Sequence, residues 1–315
     1  MNHVTHENTV DDLRRFLNCY WLRPENAFWM VLRSRVLAPF AFASQSIDIS
    51  CGDGVFMFLH AGGAFDLSFD VFTSVGRLDE VRDGHADMFD HIDERYSPAI
   101  AAQARWTIDV GTDCKPALLD KASRLGVYRR LLRHDNNDPL PFSDGAFATV
   151  YSNSVYWVAN IDPFLREIRR ITAPGGRVLL QVKLDSISRY TLAGCRGILG
   201  DRWLDIIGRG RIESWPSLAG RATWEKRFAA AGLEPEQAIP FITRTHAHIW
   251  DIGLRPIAPL LIRMANALTP ETRRRIKADW IDLMVELLAP FTRPDVDLFP
   301  GPNDPAEILY VLRPA

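Results

Sequence analysis

Short apolar runs punctuated by helical patterns constrain this chain more than any other feature. The runs are Ser46–Ile49, Trp106–Val110, Tyr128–Arg133, Ala148–Tyr151, Arg177–Val182, Ile239–Thr243 and Ile308–Leu312. Each has the length and apolar content of a strand. Helical patterns lie between several of them, notably Pro116–Leu125 and Pro163–Ile171, the second closed by Pro174-Gly175-Gly176. Strands that alternate with helices imply βαβ units and a mainly parallel sheet. Ligands in such sheets bind beyond the carboxyl ends of the strands, so residues just after each run are the place to look. Two long stretches, 63–105 and 246–304, interrupt the rhythm. Insertions of this kind cost little loop entropy and commonly serve as lids or binding elements.

Composition narrows the partners. With 47% hydrophobic and 24% charged residues over 315 positions, the chain can bury a sizeable core. A formal net charge of -2 provides no global basic field, so no nucleic-acid partner is expected. Cys19, Cys51, Cys114 and Cys195 are scattered without the CxxC spacing of a zinc ribbon, and a reducing, cytoplasmic setting is expected. The opening MNHVTHENTVDDLRRF has no apolar run of the secretory type. The most apolar stretch, IWDIGLRPIAPLLIRMANAL, contains Asp251, Arg255 and Arg263, so no integral membrane association is expected. A peripheral membrane contact or a homodimer face is an alternative for Trp250–Leu268, but Pro256 and Pro259 argue for a cap rather than a long amphipathic helix. The chain shows no internal repeat.

The first run passes into SIDISCGDGVF, where Gly52 and Gly54 let backbone N–H groups and a helix start face a polar ligand. A dinucleotide fingerprint would carry a third glycine at the position of Met57, which disfavours a pyrophosphate. After the second run, Asp113 stands at a strand end where a carboxylate can accept from two ribose hydroxyls. The third run is followed by RHDNNDPLPFSDGAF and the fourth ends in YSNSVYW, ahead of DPFLREIRRITAPGGRVLLQVK.

Taken in order, these motifs resemble the class I S-adenosylmethionine-dependent methyltransferases, in particular the type 11 methyltransferase domain, over about residues 45–183. The resemblance implies a Rossmann-like, doubly wound, seven-stranded sheet, mainly parallel with an antiparallel last strand. It implies that Asp48, Ser50, Cys51, Gly52, Asp53 and Gly54 hold the methionine end of S-adenosylmethionine. Asp113 with Cys114 would then hold the ribose, Asp135 with Asn136 would frame the adenine, and Ser152, Asn153 and Ser154 would lie beside the methyl group. Residues 1–44 are expected to form a helical segment over the cofactor side, and 45–315 the catalytic domain, with 63–105, 184–222 and 246–304 as lid and cap. Three departures stand out. Ser50 replaces a common glycine, which is tolerable if it keeps an ordinary strand φ; Gly54 and Asp113 are far more than the usual spacing of about 20 residues apart. Tyr156-Trp157-Val158 stand where many relatives have Glu-His, so no base carries over.

Methyl transfer from a sulfonium rests chiefly on holding the nucleophile and the methyl group in line, and a hydroxyl acceptor additionally needs a base. His246, His248 and Asp185 are the candidates by position, with Tyr190 and His134 behind them; surface or capping roles are the alternative for the two histidines of THAH. His85, Asp87, Asp90, His91, Asp93 and Glu94 cluster in the first insertion without tight ligand spacing, which reads as a solvated acidic face rather than a metal site. Arg189, Arg196, Arg202, Arg209, Arg211, Arg221 and Arg227 interleave with Trp203, Trp215 and Trp224, a mixture suited either to a polar acceptor or to covering a core. Tyr20, Trp21 and Arg23 either cover the cofactor or pack the core. The expected function is methyl transfer to an oxygen or nitrogen of a small polar acceptor, such as a saccharide, nucleotide-sugar or secondary metabolite, with S-adenosylhomocysteine as product. The rival readings are a catalytically silent cofactor- or partner-binding subunit and a dinucleotide-dependent oxidoreductase.

Overall fold

The computed structural model describes residues 6–42, 44–75, 89–92, 96–208, 214–251, 254–293, 295–299 and 304–315. Its strands are β1 (Ser46–Ile49), β2 (Ala64–Phe65), β3 (Ile100–Ala102), β4 (Ile108–Asp113), β5 (Tyr128–Arg133), β6 (Phe147–Ser152), β7 (Thr172–Lys183), β8 (Leu233–Ile242) and β9 (Glu307–Pro314). Seven of them form one sheet in the order β5-β4-β1-β6-β7-β9-β8. The β5-β4-β1-β6-β7 block is parallel, and β9 runs antiparallel to both β7 and β8. Strand order reverses at β1, which puts the switch point at the glycine turn.

Burial explains why these segments become strands. β1 is buried at every position, and β4 and β6 at all but one, because helices cover both faces of a parallel sheet. On one face the helix Ile161–Ile171 buries Ile161, Phe164, Leu165, Ile168 and Ile171, the stripe expected of an amphipathic helix. Phe164, Trp224, Phe228 and Tyr310 belong to the core on that side. The larger core on the other side includes Phe16, Phe28, Phe58, Phe72 and Trp21. It joins α1 (His6–Tyr20), α2 (Pro24–Leu37) and α3 (Val55–His60) to the ends of the first insertion. Those ends are zipped by antiparallel pairing of β2 with β3.

The structure corrects several boundaries. The second strand runs over Ile108–Asp113 rather than Trp106–Val110, and Asp113 is its last residue. Pro174-Gly175-Gly176 does not close the preceding helix but lies inside β7. Phe147 pairs with Thr172 and Thr149 with Arg177, so the Pro-Gly-Gly step is a bulge, and Gly175 supplies its φ of +72°. A helix does run over Leu254–Asn266 despite Pro259. Pro256 falls in its first turn, where a backbone donor has no intrahelical partner to lose.

Candidate active site

At the switch point β1 ends in a turn in which Ser50, Gly52 and Gly54 all have positive φ, at +63°, +60° and +75°. Ser50 therefore does not keep a strand φ. The left-handed conformation is costly for a residue with a Cβ, and Asn136 Nδ2 holds the serine there with a 2.7 Å hydrogen bond to its Oγ. That bond ties the loop after β5 to the strand-one turn. Asp53 Oδ1 accepts from Val55 N at 3.1 Å and so steadies the start of α3. Cys51 is buried, its N–H bonded to Thr112 O at 2.8 Å, and burial pushes its thiol pKa up.

Asp113 joins the same turn from β4. Its Oδ2 accepts from Gly52 N at 3.0 Å and its Oδ1 from Lys115 N at 2.9 Å. Each oxygen keeps acceptor capacity for another donor. Beyond Gly52 the space is open, with no heavy atom within 4 Å of where a Cβ would stand. Asn136 Oδ1, His134 Nε2 and Thr112 Oγ1 are buried without a partner, a set of polar atoms suited to an added polar ligand. Asp135 is exposed and turned back on Asn137, whose N and Nδ2 each donate at 2.9 Å and hold its pKa down. Cys114 is exposed beside Asp113. At the end of β6, Ser152 Oγ accepts from Ser154 N at 3.3 Å and Ser154 Oγ donates to Asn153 Oδ1 at 2.8 Å.

Asp48 departs from a simple ligand role. It is 3% exposed and accepts from Tyr128 OH at 2.6 Å. Burial pushes its pKa up to about 7, against the pull of Tyr128 and with a further push from Asp113. Tyr128 is a residue that the sequence reading missed. Its ring would crowd a Cβ at Gly54 or Gly111, at 3.1 and 2.8 Å, which is the signal that glycines there could have given.

The candidate bases do not form a group. His246 is fully buried and caps its own helix: Nδ1 accepts from Thr243 N at 3.0 Å and Nε2 reaches Phe291 O at 2.9 Å. Both ring nitrogens are spoken for, and burial pushes its pKa down, so it is a structural cap rather than a free base. His248 is exposed and packs on Phe299, with ring centroids 4.9 Å apart. Asp185 is exposed and faces Gly220. The backbone N–H of His134 donates to Asp113 O at 3.0 Å, and Tyr190 OH donates to Asp304 O at 2.8 Å.

The covers are better defined. Trp21 is 1% exposed and donates to Asp70 Oδ2 at 2.9 Å; Tyr20 packs on Phe89, and Arg23 pairs with buried Glu25. All three pack the core. From the first insertion, Asp90 pairs with Lys115 at 2.6 Å and Phe89 O accepts from Lys121 at 2.6 Å, so the insertion lies against the helix Pro116–Ser123 beside Asp113. His85, Asp87, Asp93, Glu94, Arg209 and Arg211 lie outside the described residues, among which no cluster of metal-binding type occurs. Trp224 is buried core, and Arg227 lies over its ring at 5.3 Å.

A doubly wound sheet with this order, a glycine turn at its switch point and an acid closing the adjacent strand are the arrangement that the resemblance to class I S-adenosylmethionine-dependent methyltransferases implies. Residues 94–180 match the family model described as a methyltransferase domain. Malonyl-[acyl-carrier protein] O-methyltransferase of Halorhodospira halophila is 29% identical over 169 residues, or 46% of this chain and 54% of that protein. The chain thus spans about half the length of this curated relative. Among solved structures, the [4+2]-cyclase SpnF is 14% identical with a TM-score of 0.46, covering 91% of this chain and 80% of that one. Geranyl diphosphate C-methyltransferase from Streptomyces coelicolor A3(2) is 12% identical with a TM-score of 0.42, covering 93% and 84%. The cofactor of the domain class is S-adenosylmethionine, and the donor set of the turn fits it. No helix among the described residues is long and apolar enough to cross a membrane.

Proposed function

We propose that the chain transfers a methyl group from S-adenosylmethionine to an oxygen or nitrogen of a small polar acceptor, a saccharide, nucleotide-sugar or secondary metabolite, in the cytoplasm. The observation that carries this reading is Asp113 Oδ2 bonded to Gly52 N at 3.0 Å, which joins the acid of β4 to an open strand-one turn. In this reading Asp113 and Cys114 receive the ribose, Asp135 and Asn136 the adenine edge, and Asp48, Ser50, Cys51, Gly52, Asp53 and Gly54 form the methionine wall. Ser152, Asn153 and Ser154 border the methyl group. Residues 1–44 would cover the cofactor side and the three insertions would serve as lid and cap, and Asp185 and His248 are the remaining candidates for moving a proton. When bound, the cofactor supplies an electrophilic methyl carbon on a sulfonium. The protein's contribution is to hold the acceptor in line with it and to exclude water.

Calorimetry with S-adenosylhomocysteine tests the binding half of the proposal, and methyl transfer to candidate acceptors tests the rest. No binding would end this reading. Binding without turnover would favour a silent cofactor- or partner-binding subunit, which the absence of Glu-His before Val158 supports.

A further inference from the structure

The helix Leu254–Asn266 buries small side chains and turns larger apolar ones outward. Ala258, Ile262 and Ala265 lie in the core, whereas Ile257, Leu260 and Met264 are exposed, Met264 at 68%. Their spacing of three and four residues makes one stripe along the helix. The helix is firmly seated: Ile262 is fully enclosed, and Asn266 Oδ1 accepts from Arg273 Nη1 at 2.6 Å. The helix Asp201–Gly208 packs against it and buries Leu204 while Ile206 stands 59% exposed. The preceding short helix, Arg196–Leu199, adds Ile198 at 86% and Leu199. Thirteen large apolar side chains are exposed among the described residues, and these three adjoining helices hold six of them. Such side chains scattered singly are ordinary; gathered together they mark an interaction surface.

Charge indicates what covers it. Within the three helices Arg196, Arg202, Arg255 and Arg263 stand against Asp201 and Asp205, four cations to two anions in a chain whose net charge is -2. Arg209 and Arg211 follow in the sequence directly after the second helix. Arg202 and Arg263 are exposed. A second copy meeting this face about a two-fold axis would set its arginines against their own kind, so an anionic partner fits better. Isoleucine, leucine and methionine interleaved with arginine suit a lipid interface, where apolar side chains reach the acyl boundary and guanidinium groups stay with the phosphates. Pro256 and Pro259, which in the sequence argue against an amphipathic helix here, are both accommodated within it.

We propose that the helices Arg196–Leu199, Asp201–Gly208 and Leu254–Asn266 dock the protein peripherally on an anionic phospholipid surface. Ile198, Ile206, Ile257, Leu260 and Met264 enter the boundary between headgroups and acyl chains, and the arginines pair with lipid phosphates.

The test is co-sedimentation of the full chain with sucrose-loaded vesicles, of equimolar phosphatidylcholine and phosphatidylglycerol in one arm and of phosphatidylcholine alone in the other. Partition onto the anionic vesicles should be at least about tenfold stronger and should weaken as salt is raised. Leu260→Gln combined with Met264→Gln should lower that partition about tenfold, through the lost burial of two partly exposed apolar side chains. Leu283→Gln, at a position of the helix Pro270–Leu288 exposed to the same degree as Leu260, should leave it unchanged. No pelleting with anionic vesicles, equal pelleting with both compositions, or a double variant that pellets like the wild type would overturn the proposal. So would a dimer in sedimentation velocity that the double variant breaks, found together with no vesicle binding; that result assigns the face to a second copy. Urea midpoints check that the variants fold. If the double variant does not, quenching of wild-type tryptophan fluorescence by acyl-brominated phosphatidylcholine in the anionic vesicles decides, because half-buried Trp203 lies one turn before Ile206. Quenching is expected, and its absence would overturn the docking.

Discussion

Asp113 accepts one backbone donor on each carboxylate oxygen and remains able to accept more, so its removal acts on a ligand as well as on the turn. Asp113→Ala should weaken S-adenosylhomocysteine binding by about 1.5–3 kcal/mol, the value of hydrogen bonds to a charged group. Isothermal titration at fixed salt measures it, and an unchanged affinity would take Asp113 out of the ribose role. Asp113→Asn, which keeps one acceptor, should fall between the two. Asp113 was legible in the sequence because a strand-end acid before a helix is a local pattern. Ser50 was legible only as a departure. Its positive φ is stabilised by Asn136, which lies far along the chain, and no reading of neighbouring residues reveals that contact.

Elements show the same division. β1 and β5 were legible to the residue because their apolar and turn signals are local. The inner end of β7 was not, since a Pro-Gly-Gly step reads as a stop unless the partner strand that absorbs it as a bulge is known. The ion group in which Arg33 and Lys183 share Glu307 was illegible because its members come from α2, β9 and β7. The two motif glycines predict different failures. A Cβ on Gly54 would meet Ala122 and Tyr128 at 3.1 Å, whereas one on Gly52 would meet nothing within 4 Å. Gly52→Ala should cost about 1–2 kcal/mol of stability through its positive φ alone while obstructing the ligand. Gly54→Ala should add about 1–3 kcal/mol of overpacking. Denaturant midpoints beside S-adenosylhomocysteine titrations separate the two; equal stability losses would refute the distinction. Asp70 gives a third case at this scale. It is 8% exposed, takes Trp21 Nε1 at 2.9 Å and Arg273 Nε at 2.8 Å, and so joins α1's end to the first insertion and to the helix Pro270–Leu288. Asp70→Ala leaves Arg273 buried without that partner and should cost about 3–5 kcal/mol by urea denaturation. A loss below about 1 kcal/mol would mean that the network does not hold the cap in place.

Over the whole molecule, two buried groups set opposite slopes of stability against pH. Asp48 is pushed by burial from its ordinary 3.8 to about 7. Its contribution is fully present below the unfolded value and is lost as pH rises through about 7, because only the unfolded chain ionises freely. His60, whose Nδ1 lies 2.8 Å from Ser34 Oγ, is pushed by burial from 6.5 down to about 4. Its contribution is present above 6.5 and is lost as pH falls through about 4. At about 1.4 kcal/mol per pKa unit these amount to roughly 4 and roughly 3 kcal/mol. Between those limits they nearly cancel, so the wild type should show little slope from this pair. Asp48→Asn keeps an acceptor for Tyr128 and removes one side of the balance. It should match the wild type near about pH 3.5 and exceed it by a few kcal/mol near about pH 7.5. His60→Asn should do the reverse and gain on the wild type only at the acid end. Urea denaturation of the three proteins at both pH values provides the readout. Parallel pH profiles for Asp48→Asn and the wild type would show that Asp48 ionises in the fold as it does in water, and that Tyr128 and burial do not hold its proton.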